Sequence, residues 1–219
     1  MTDLRLLICS DLHTSEDAMS MLKSAALEDD YDLVLVSGDF TTYGSPEFVR
    51  RFLRAFRMRV LAVPGNCDTR DLLRMLEGAD ACVHDKCVNI DGIGVYGFGG
   101  GLPSPAKMPF EIDEAVMVSS LRSNATTGGI MITHVPPLGM NDTGRQGKNL
   151  GSAGILKVAS EFTPILAVSG HVHEARGVVT QGGTVFVNPG PAKDGFYAKA
   201  VVGQKVSVEL VDRSMDIRR

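Results

Sequence analysis

The sequence predicts an α/β protein in which two packed β-sheets are flanked by helices. Its first third alternates short apolar runs with helical patterns in the order βαβαβα, which is typical of a parallel sheet. Later strand pairs are joined by tight Asp-Gly and Gly-Gly turns, which favour antiparallel pairing. Because no linker, repeat or low-complexity segment interrupts the 219 residues, we predict a single domain over 1–219.

Five short apolar runs predict the buried strands, since each is rich in Val, Ile, Leu or Ala and is bounded by turn residues. These runs are residues 4–9, 33–37, 60–63, 130–133 and 165–169. Helical spacing and capping residues predict the helices between them. The predicted starts are Ser15 as an N-cap, Ser45-Pro46, Thr69, Asp113 and Ser152 as an N-cap.

Other runs predict antiparallel strands. Residues 87–90 and 93–98 form a hairpin signal around Asp91-Gly92. Four alternating runs near the carboxyl end predict further strands, and the tail over 213–219 is expected to fray. Those four runs are 177–180, 184–187, 198–202 and 205–211.

Each of the five buried runs leads into a turn that carries Asp, Asn or His. In open α/β sheets, the loops beyond the carboxyl ends of the strands meet at one edge, where ligands bind. The sequence therefore gathers two Asp, one Asn and four His at one rim. The turns are Asp11-Leu12-His13, Gly38-Asp39, Gly65-Asn66-Cys67-Asp68, Thr133-His134 and Gly170-His171-Val172-His173.

Such a mixed set of nitrogen and oxygen ligands fits a pair of first-row divalent metals, with Mn favoured over Fe, Ni or Zn. Two metals about 3.5–4 Å apart share a ligand, and Asp39 is the bridging candidate because a carboxylate bridges more easily than an imidazole. His171 and His173 are expected on opposite sides of an extended backbone, which suits two adjacent metals. Any one motif alone is usually an ordinary turn, but their joint occurrence favours a metal site. His84 lies outside every motif and is interpreted as an ordinary surface residue.

The ordered series DLH, GD, GNCD, TH and GHVH resembles the calcineurin-like metallophosphoesterases, from residue 4 to about residue 191. The stretch from His134-Val135-Pro136-Pro137 to Asn188-Pro189-Gly190-Pro191 resembles a branch of small archaeal and bacterial phosphoesterases. The resemblance implies a four-layer αββα sandwich of mixed sheets and assigns the metal ligands. It gives Asp11, His13, Asp39 and His173 to one metal, and Asp39, Asn66, His134 and His171 to the other.

The resemblance also implies hydrolysis of a phosphoester by a hydroxide held between the metals, with His134, Asn66 and Asp68 as catalytic residues. Many members of the family have His where this chain has Cys67, and a thiol is a poorer general acid. We therefore predict a phosphodiesterase that acts on good leaving groups such as aryl esters. A phosphomonoesterase or nucleotidase is the alternative, and a non-catalytic scaffold is weaker because every ligand is present.

The predicted partner is a small phosphoester substrate. The loop over 136–151 is interpreted as a substrate-facing flap, where Arg145 and Lys148 either bind substrate or are simply solvated. A net charge of -4 argues against general binding of nucleic acid, and the Arg-rich face of the second helix is interpreted as solvated. A homo-oligomer is possible. The sequence shows no membrane span or signal peptide, and its scattered cysteines predict a cytoplasmic protein.

Overall fold

The computed structural model describes residues 3–217 and confirms two mixed β-sheets flanked by helices. The strands are β1 (Leu4–Cys9), β2 (Leu33–Val36), β3 (Arg59–Ala62), β4 (Lys86–Ile90), β5 (Ile93–Phe98), β6 (Ile130–Thr133), β7 (Leu166–Val168), β8 (Gly177–Gln181), β9 (Thr184–Asn188), β10 (Phe196–Val202) and β11 (Val206–Asp212). The helices are α1 (Glu16–Glu28), α2 (Glu47–Ala55), α3 (Arg70–Gly78), α4 (Glu114–Asn124), α5 (Ala153–Phe162) and α6 (Ser214–Ile217).

The first sheet has the order β11-β10-β1-β2-β3, and the second has the order β4-β5-β6-β7-β9-β8. Strands β1, β2 and β3 are parallel, as are β5, β6, β7 and β9, whereas β10, β11, β4 and β8 are antiparallel to their neighbours. The parallel strands that carry ligand turns therefore end at the same edge of the molecule. This edge holds the candidate site.

Three apolar layers hold the four structural layers together. Alternation along β1 separates two of them, because Leu7 packs toward the helices while Leu6 packs between the sheets. A third layer packs Met117 of α4 and Ile155 of α5 onto the second sheet. Full burial of one such aliphatic side chain contributes about 1.5–3 kcal/mol. The four-layer αββα arrangement predicted above is confirmed.

The predicted N-caps Ser15 and Ser152 are present, and Thr69, which was predicted only as the start of its helix, is an N-cap as well. Ser15 Oγ accepts a hydrogen bond from the Ala18 amide at 3.1 Å, and Ser152 Oγ accepts one from the Ile155 amide at 3.0 Å. Thr69 caps α3 in the same way. The second helix differs by one residue, because Pro46 occupies the N-cap position and the first helical residue is Glu47.

The tail prediction was wrong for residues 213–217. One helical turn, α6, forms there, and the Arg213 guanidinium contacts the Glu28 carboxylate at 2.6 Å. Residues 218 and 219 lie outside the described chain. Among the helices of residues 3–217, none has both the length and the apolar character needed to cross a membrane.

Candidate metal centre

The side chains of all seven predicted ligands meet at the edge where the parallel strands end. They form two adjacent groups. The first contains Asp11, His13 and His173, and the second contains Asn66, His134 and His171. Asp39 lies between these groups.

In the first group, His13 Nε2 lies 3.4 Å from His173 Nε2, and His173 Nε2 lies 3.1 Å from the nearer Asp11 oxygen. Two metal–nitrogen bonds of about 2.0–2.1 Å at a tetrahedral angle place their nitrogens about 3.4 Å apart. The separation of the two histidines is therefore that of two ligands on one ion.

The second group has similar spacing. Asn66 Oδ1 lies 2.9 Å from His134 Nε2 and 3.0 Å from His171 Nδ1. The Asp39 carboxylate directs one oxygen to each group, at 3.6 Å from His134 Nε2 and 3.7 Å from His13 Nε2. The donor set thus fits two ions with Asp39 as their common ligand.

The backbone at these turns is strained. Four of the candidate ligands have left-handed φ angles, namely Asp11 (55°), His13 (47°), Asp39 (52°) and His171 (67°). Such conformations cost about 1–3 kcal/mol each and cluster at functional sites. The strands therefore end in turns that aim side chains at the rim at the expense of stability.

His171 and His173 do not lie on the extended backbone that their spacing predicted. His171 is left-handed, and His173 begins a 3₁₀ turn over His173–Ala175. The buried Asn188 amide donates to the Val172 carbonyl at 2.9 Å and holds this turn. The two histidines still contact different groups. The extended backbone was therefore the wrong reason for predicting that they have separate partners.

Two glycines make room for the carboxylates. A Cβ on Gly65 would lie 2.0 Å from Asp39 Oδ1, and a Cβ on Gly170 would lie 1.9 Å from Ser10 Oγ and 2.5 Å from an Asp11 oxygen. No side chain fits at either position without moving a candidate ligand. The glycines of the GN and GH motifs therefore allow their turns to approach Asp39 and Asp11 closely.

Partners beyond the ligands orient the imidazoles. His134 Nδ1 lies 2.7 Å from the Ser37 carbonyl oxygen, so Nδ1 donates a hydrogen bond there. In the neutral ring, Nε2 therefore carries the lone pair, which faces Asn66 and Asp39. His13 Nδ1 contacts Thr42 Oγ1 at 2.9 Å. Sequence reasoning missed both partners, because a backbone carbonyl and a threonine carry no motif.

Asp11 and His171 both favour the protonation states that bind metals. Burial would raise the pKa of Asp11, but the hydrogen bond from His173 and the positive charge of nearby histidines hold this pKa well below its usual range. Burial lowers the pKa of His171 to about 4, and the charge of His134 acts in the same direction. Ionised carboxylates and neutral imidazoles are the ligand forms.

His134 behaves differently from His171. Burial lowers its pKa, but the charges of Asp39 and Asp11 raise it, and the balance lies above the ordinary value. Two carboxylates therefore provide a negative site that attracts cations.

Lys193 is a further residue that the sequence did not reveal. Its amide contacts the Asp11 carbonyl at 3.3 Å, and its charge adds to the effect of burial in lowering the pKa of His13.

Asp68 was predicted as a catalytic residue, but its hydrogen bonds are those of a structural residue. Its carboxylate is fully buried and accepts four hydrogen bonds, from the amides of Phe40, Thr41 and Gly65 and from Thr41 Oγ1, at 2.8–3.2 Å. Burial and the neighbouring Asp39 charge raise its pKa to about 7, while the four donors oppose that rise. Asp68 therefore fastens the turns that carry Asp39 and Asn66, and we assign it a positioning role.

The loop over 136–151 is anchored at both ends. Bridges join Pro137 to Ser152 and Thr143 to Asn149. The Arg145 amide donates to the Glu174 carboxylate at 2.6 Å, beside His173, while the Arg145 side chain is 87% exposed. The described contacts within 3–217 give the Lys148 side chain no hydrogen bond or ion pair. A substrate role for Arg145 and Lys148 remains a prediction.

The sequence analysis interpreted His84 as an ordinary surface residue, and this interpretation was wrong. Its ring packs against Phe98 and Phe110, with centroids 4.1 and 5.5 Å away, and Nδ1 accepts a hydrogen bond from the Gly99 amide at 2.9 Å. Burial lowers its pKa to about 4. His84 is thus a half-buried histidine whose lowered pKa favours the neutral ring.

Cys67 lies beside the shared carboxylate. Its amide donates to Asp39 Oδ1 at 2.8 Å, and its sulfur belongs to a group with His13 and Asp39 whose ligand atoms lie within 4.8 Å of one another. Burial and the charge of Asp39 raise the pKa of its thiol. Cys67 is therefore a neutral thiol at the edge of the centre.

A sandwich of this kind with paired ligand groups defines a metallophosphoesterase. Residues 4–175 match the model of the calcineurin-like phosphoesterases, and the chain belongs to this family of phosphoester hydrolases. The family depends on two metal ions, and the chain carries candidate ligands for them.

One relative is the uncharacterized protein MJ1162 of Methanocaldococcus jannaschii, 31% identical over 169 residues that cover 73% of this chain and 78% of the relative.

Solved structures share the fold. TT1561 of Thermus thermophilus has a TM-score of 0.72 at 18% identity and covers 95% of this chain and 99% of its own. A dimetal phosphatase of Danio rerio has a TM-score of 0.64 at 12% identity, with coverage of 95% and 97%. An archaeal phosphodiesterase has a TM-score of 0.54 at 13% identity, with coverage of 95% and 100%. At these identities the likeness shows the fold alone.

Proposed function

We propose that this protein is a phosphodiesterase with a dinuclear metal centre. The observation that carries the proposal is the Asp39 carboxylate, which directs one oxygen to each of two ligand groups. Asp11, His13, Asp39 and His173 would hold one ion, and Asp39, Asn66, His134 and His171 would hold the other. Mn is the proposed metal, because carboxylate and amide oxygens accompany the imidazoles.

When bound, two such ions lower the pKa of water and neutralise charge on phosphoryl oxygens. The chain supplies the orientation. Asn66 turns its carbonyl oxygen toward His134 and His171, which leaves its amide nitrogen to donate to a phosphoryl oxygen. Ser37 fixes the ring of His134. Lys193 adds a positive charge near His13 that favours an anionic substrate.

The preference for diesters is supported by Cys67. A neutral thiol follows Asn66 where a stronger general acid would help an alkoxide to leave, so we propose substrates whose leaving groups need little protonation. A small phosphodiester with an aryl leaving group has that property. The structurally similar archaeal protein is described as a phosphodiesterase, which is consistent with the proposal.

A phosphomonoesterase is the second candidate, and Lys193 is the observation that favours it. A monoester dianion carries more charge than a diester, and a cation beside the centre would attract it. A cytoplasmic location is also proposed, since the four cysteines are free within the described chain. A homo-oligomer remains a prediction that light scattering would test.

The test is a substrate panel on Mn-loaded protein. We expect the kcat/KM for bis(4-nitrophenyl) phosphate to exceed that for 4-nitrophenyl phosphate by at least about tenfold, the ratio that corresponds to 1.4 kcal/mol. A reversed ratio would assign the protein as a phosphomonoesterase. Hydrolysis of neither ester by metal-loaded, folded protein would overturn both candidates. His134→Ala is the inactive control, and Asp30→Asn, an exposed change outside the site, is the matched active control.

A further inference from the structure

An exposed aromatic residue lies on a loop that contacts the candidate centre. Tyr43 lies four residues after Asp39 and is 58% exposed, although large aromatic side chains gain most when buried. Its amide donates to the Cys67 carbonyl at 3.1 Å, and the preceding residue, Thr42, contacts the ring of His13. The backbone that carries this ring is thus tied to Cys67, and the residue before it is tied to His13.

A second loop brings an apolar side chain to the same place. The loop over 99–112 lies against Asn66, because the Phe110 amide donates to the Asn66 carbonyl at 3.1 Å and a Cβ on Gly101 would lie 2.7 Å from the Asn66 Cβ. From this loop, Met108 approaches Tyr43 with its sulfur 3.3 Å from the phenolic oxygen. Tyr43 and Met108 therefore meet between two loops that both contact the segment of Asn66 and Cys67.

The position of Tyr43 is maintained at a cost. Its φ angle is 56°, in the left-handed region that a bulky residue rarely adopts. A Cβ on Gly44 would lie 3.1 Å from the Thr41 Cβ and 3.4 Å from Thr14 Oγ1, so this turn lies close to the neighbouring loop. Strain of this kind persists where surrounding contacts hold it, and it is frequent at binding sites.

We propose that Tyr43 and Met108 form an apolar wall beside the metal centre that binds a flat aromatic group attached to the substrate phosphorus. The inference rests on the proposed phosphoesterase function and specifies its substrate class. An aromatic ring stacks on Tyr43 at little entropic cost, because that side chain has few rotatable bonds. The thioether of Met108 packs favourably against ring edges. An aryl ester places its ring one oxygen from phosphorus, whereas a nucleoside ester places its base further out.

Binding of non-hydrolysable phosphonates to the Mn-loaded protein tests the wall by calorimetry. Phenylphosphonate and methylphosphonate present the same anion to the metals and differ only in the ring. We expect phenylphosphonate to bind about tenfold more tightly, the order of one aromatic stacking contact. Adenosine 5′-monophosphate and ribose 5-phosphate, each as the analogue with a methylene group in place of its ester oxygen, form a second non-hydrolysable pair that distinguishes a nucleoside from an aryl group.

Four variants accompany the measurement. Tyr43→Ala and Met108→Ala should reduce the ring preference to about twofold or less, and Tyr43→Phe should keep it because the stacking ring remains. Leu27→Ala removes a side chain that is 73% exposed on α1, away from the centre, and should keep the full preference.

Loss of the preference in Tyr43→Ala, in either ligand pair, supports the wall and names the aromatic source by the pair that responds. Equal affinities within both pairs in the natural protein, or a preference that persists in Tyr43→Ala, would overturn it. Failure of methylphosphonate and the ribose 5-phosphate analogue to bind the metal-loaded protein at all would instead reject the proposed function.

Discussion

His13 and His173 bring their Nε2 atoms to within 3.4 Å of each other although 160 positions separate them in the chain. Two bare imidazole nitrogens gain little from facing each other, since one must be protonated to bond the other. The same distance is that of two nitrogens on a single cation. The pair therefore indicates a site shaped for an ion.

Replacement of His173 tests this pair. His173→Gln should lower the Mn content from about two ions per chain to about one, because the second group is left intact. The rate of diester hydrolysis should fall at least about 100-fold, since removal even of an outer partner of a metal ligand costs 10–100-fold. Elemental analysis and initial rates measure both. His84→Gln is the matched control, and an unchanged metal content in His173→Gln would contradict the assignment.

Close approach of Gly65 to Asp39 predicts a large effect of one methyl group. Gly65→Ala places a Cβ 2.0 Å from Asp39 Oδ1, so the free energy of unfolding should fall by about 1–3 kcal/mol and metal affinity should fall with it. Gly78→Ala, with nothing within 4 Å at the end of α3, should instead stabilise by up to about 1 kcal/mol. Urea unfolding measures both. Equal stability of the two variants would contradict the close contact between Gly65 and Asp39.

The role of Cys67 predicts a gain of function. Cys67→His introduces an imidazole beside the centre, and the rate on a diester with an alkyl leaving group should rise by about tenfold or more, part of the 10²–10⁴ that a well-placed general acid supplies. The rate on an aryl diester should change little. Cys67→Ser controls for loss of the sulfur alone. If the alkyl substrate is hydrolysed no faster by Cys67→His, the thiol is not what limits leaving-group range.

The environment of His84 predicts a pH dependence of stability in the metal-free protein. Its pKa is lowered from 6.5 to about 4 by burial, so the unfolded chain binds the proton more tightly between these values. The free energy of unfolding should therefore fall as pH drops through that window, by up to about 3 kcal/mol. His84→Gln retains an acceptor for the Gly99 amide but cannot titrate. Its stability between pH 7 and 4.5 should fall less steeply than that of the natural protein; parallel curves would refute this.

Much of the fold could be predicted because its signals are local. Apolar runs bounded by turns identified the five strands that carry ligands, and Ser15, Thr69 and Ser152 cap helices through contacts three residues away. The strand pattern predicted that these turns would gather at one edge, and the family resemblance placed Asp11 and His173 on one metal.

The remaining features depend on contacts between distant segments. The prediction that His84 lies on the surface was wrong, because Phe98 and Phe110 pack against its ring and no local sequence pattern connects them to it. The turn of His173 depends on Asn188. The role of Lys193 depends on the fold of the loop after β9, so a sequence pattern could not reveal it.

The most direct measurement is the metal content of the natural protein beside that of Asp39→Asn. Both are loaded with Mn, dialysed and analysed by elemental mass spectrometry, with Asp30→Asn as the matched control. We predict about two ions per natural chain, and fewer than one in Asp39→Asn, because the shared carboxylate is a ligand in both groups. A natural protein that is folded but binds no metal, or an Asp39→Asn variant that keeps two ions, would contradict the dinuclear centre.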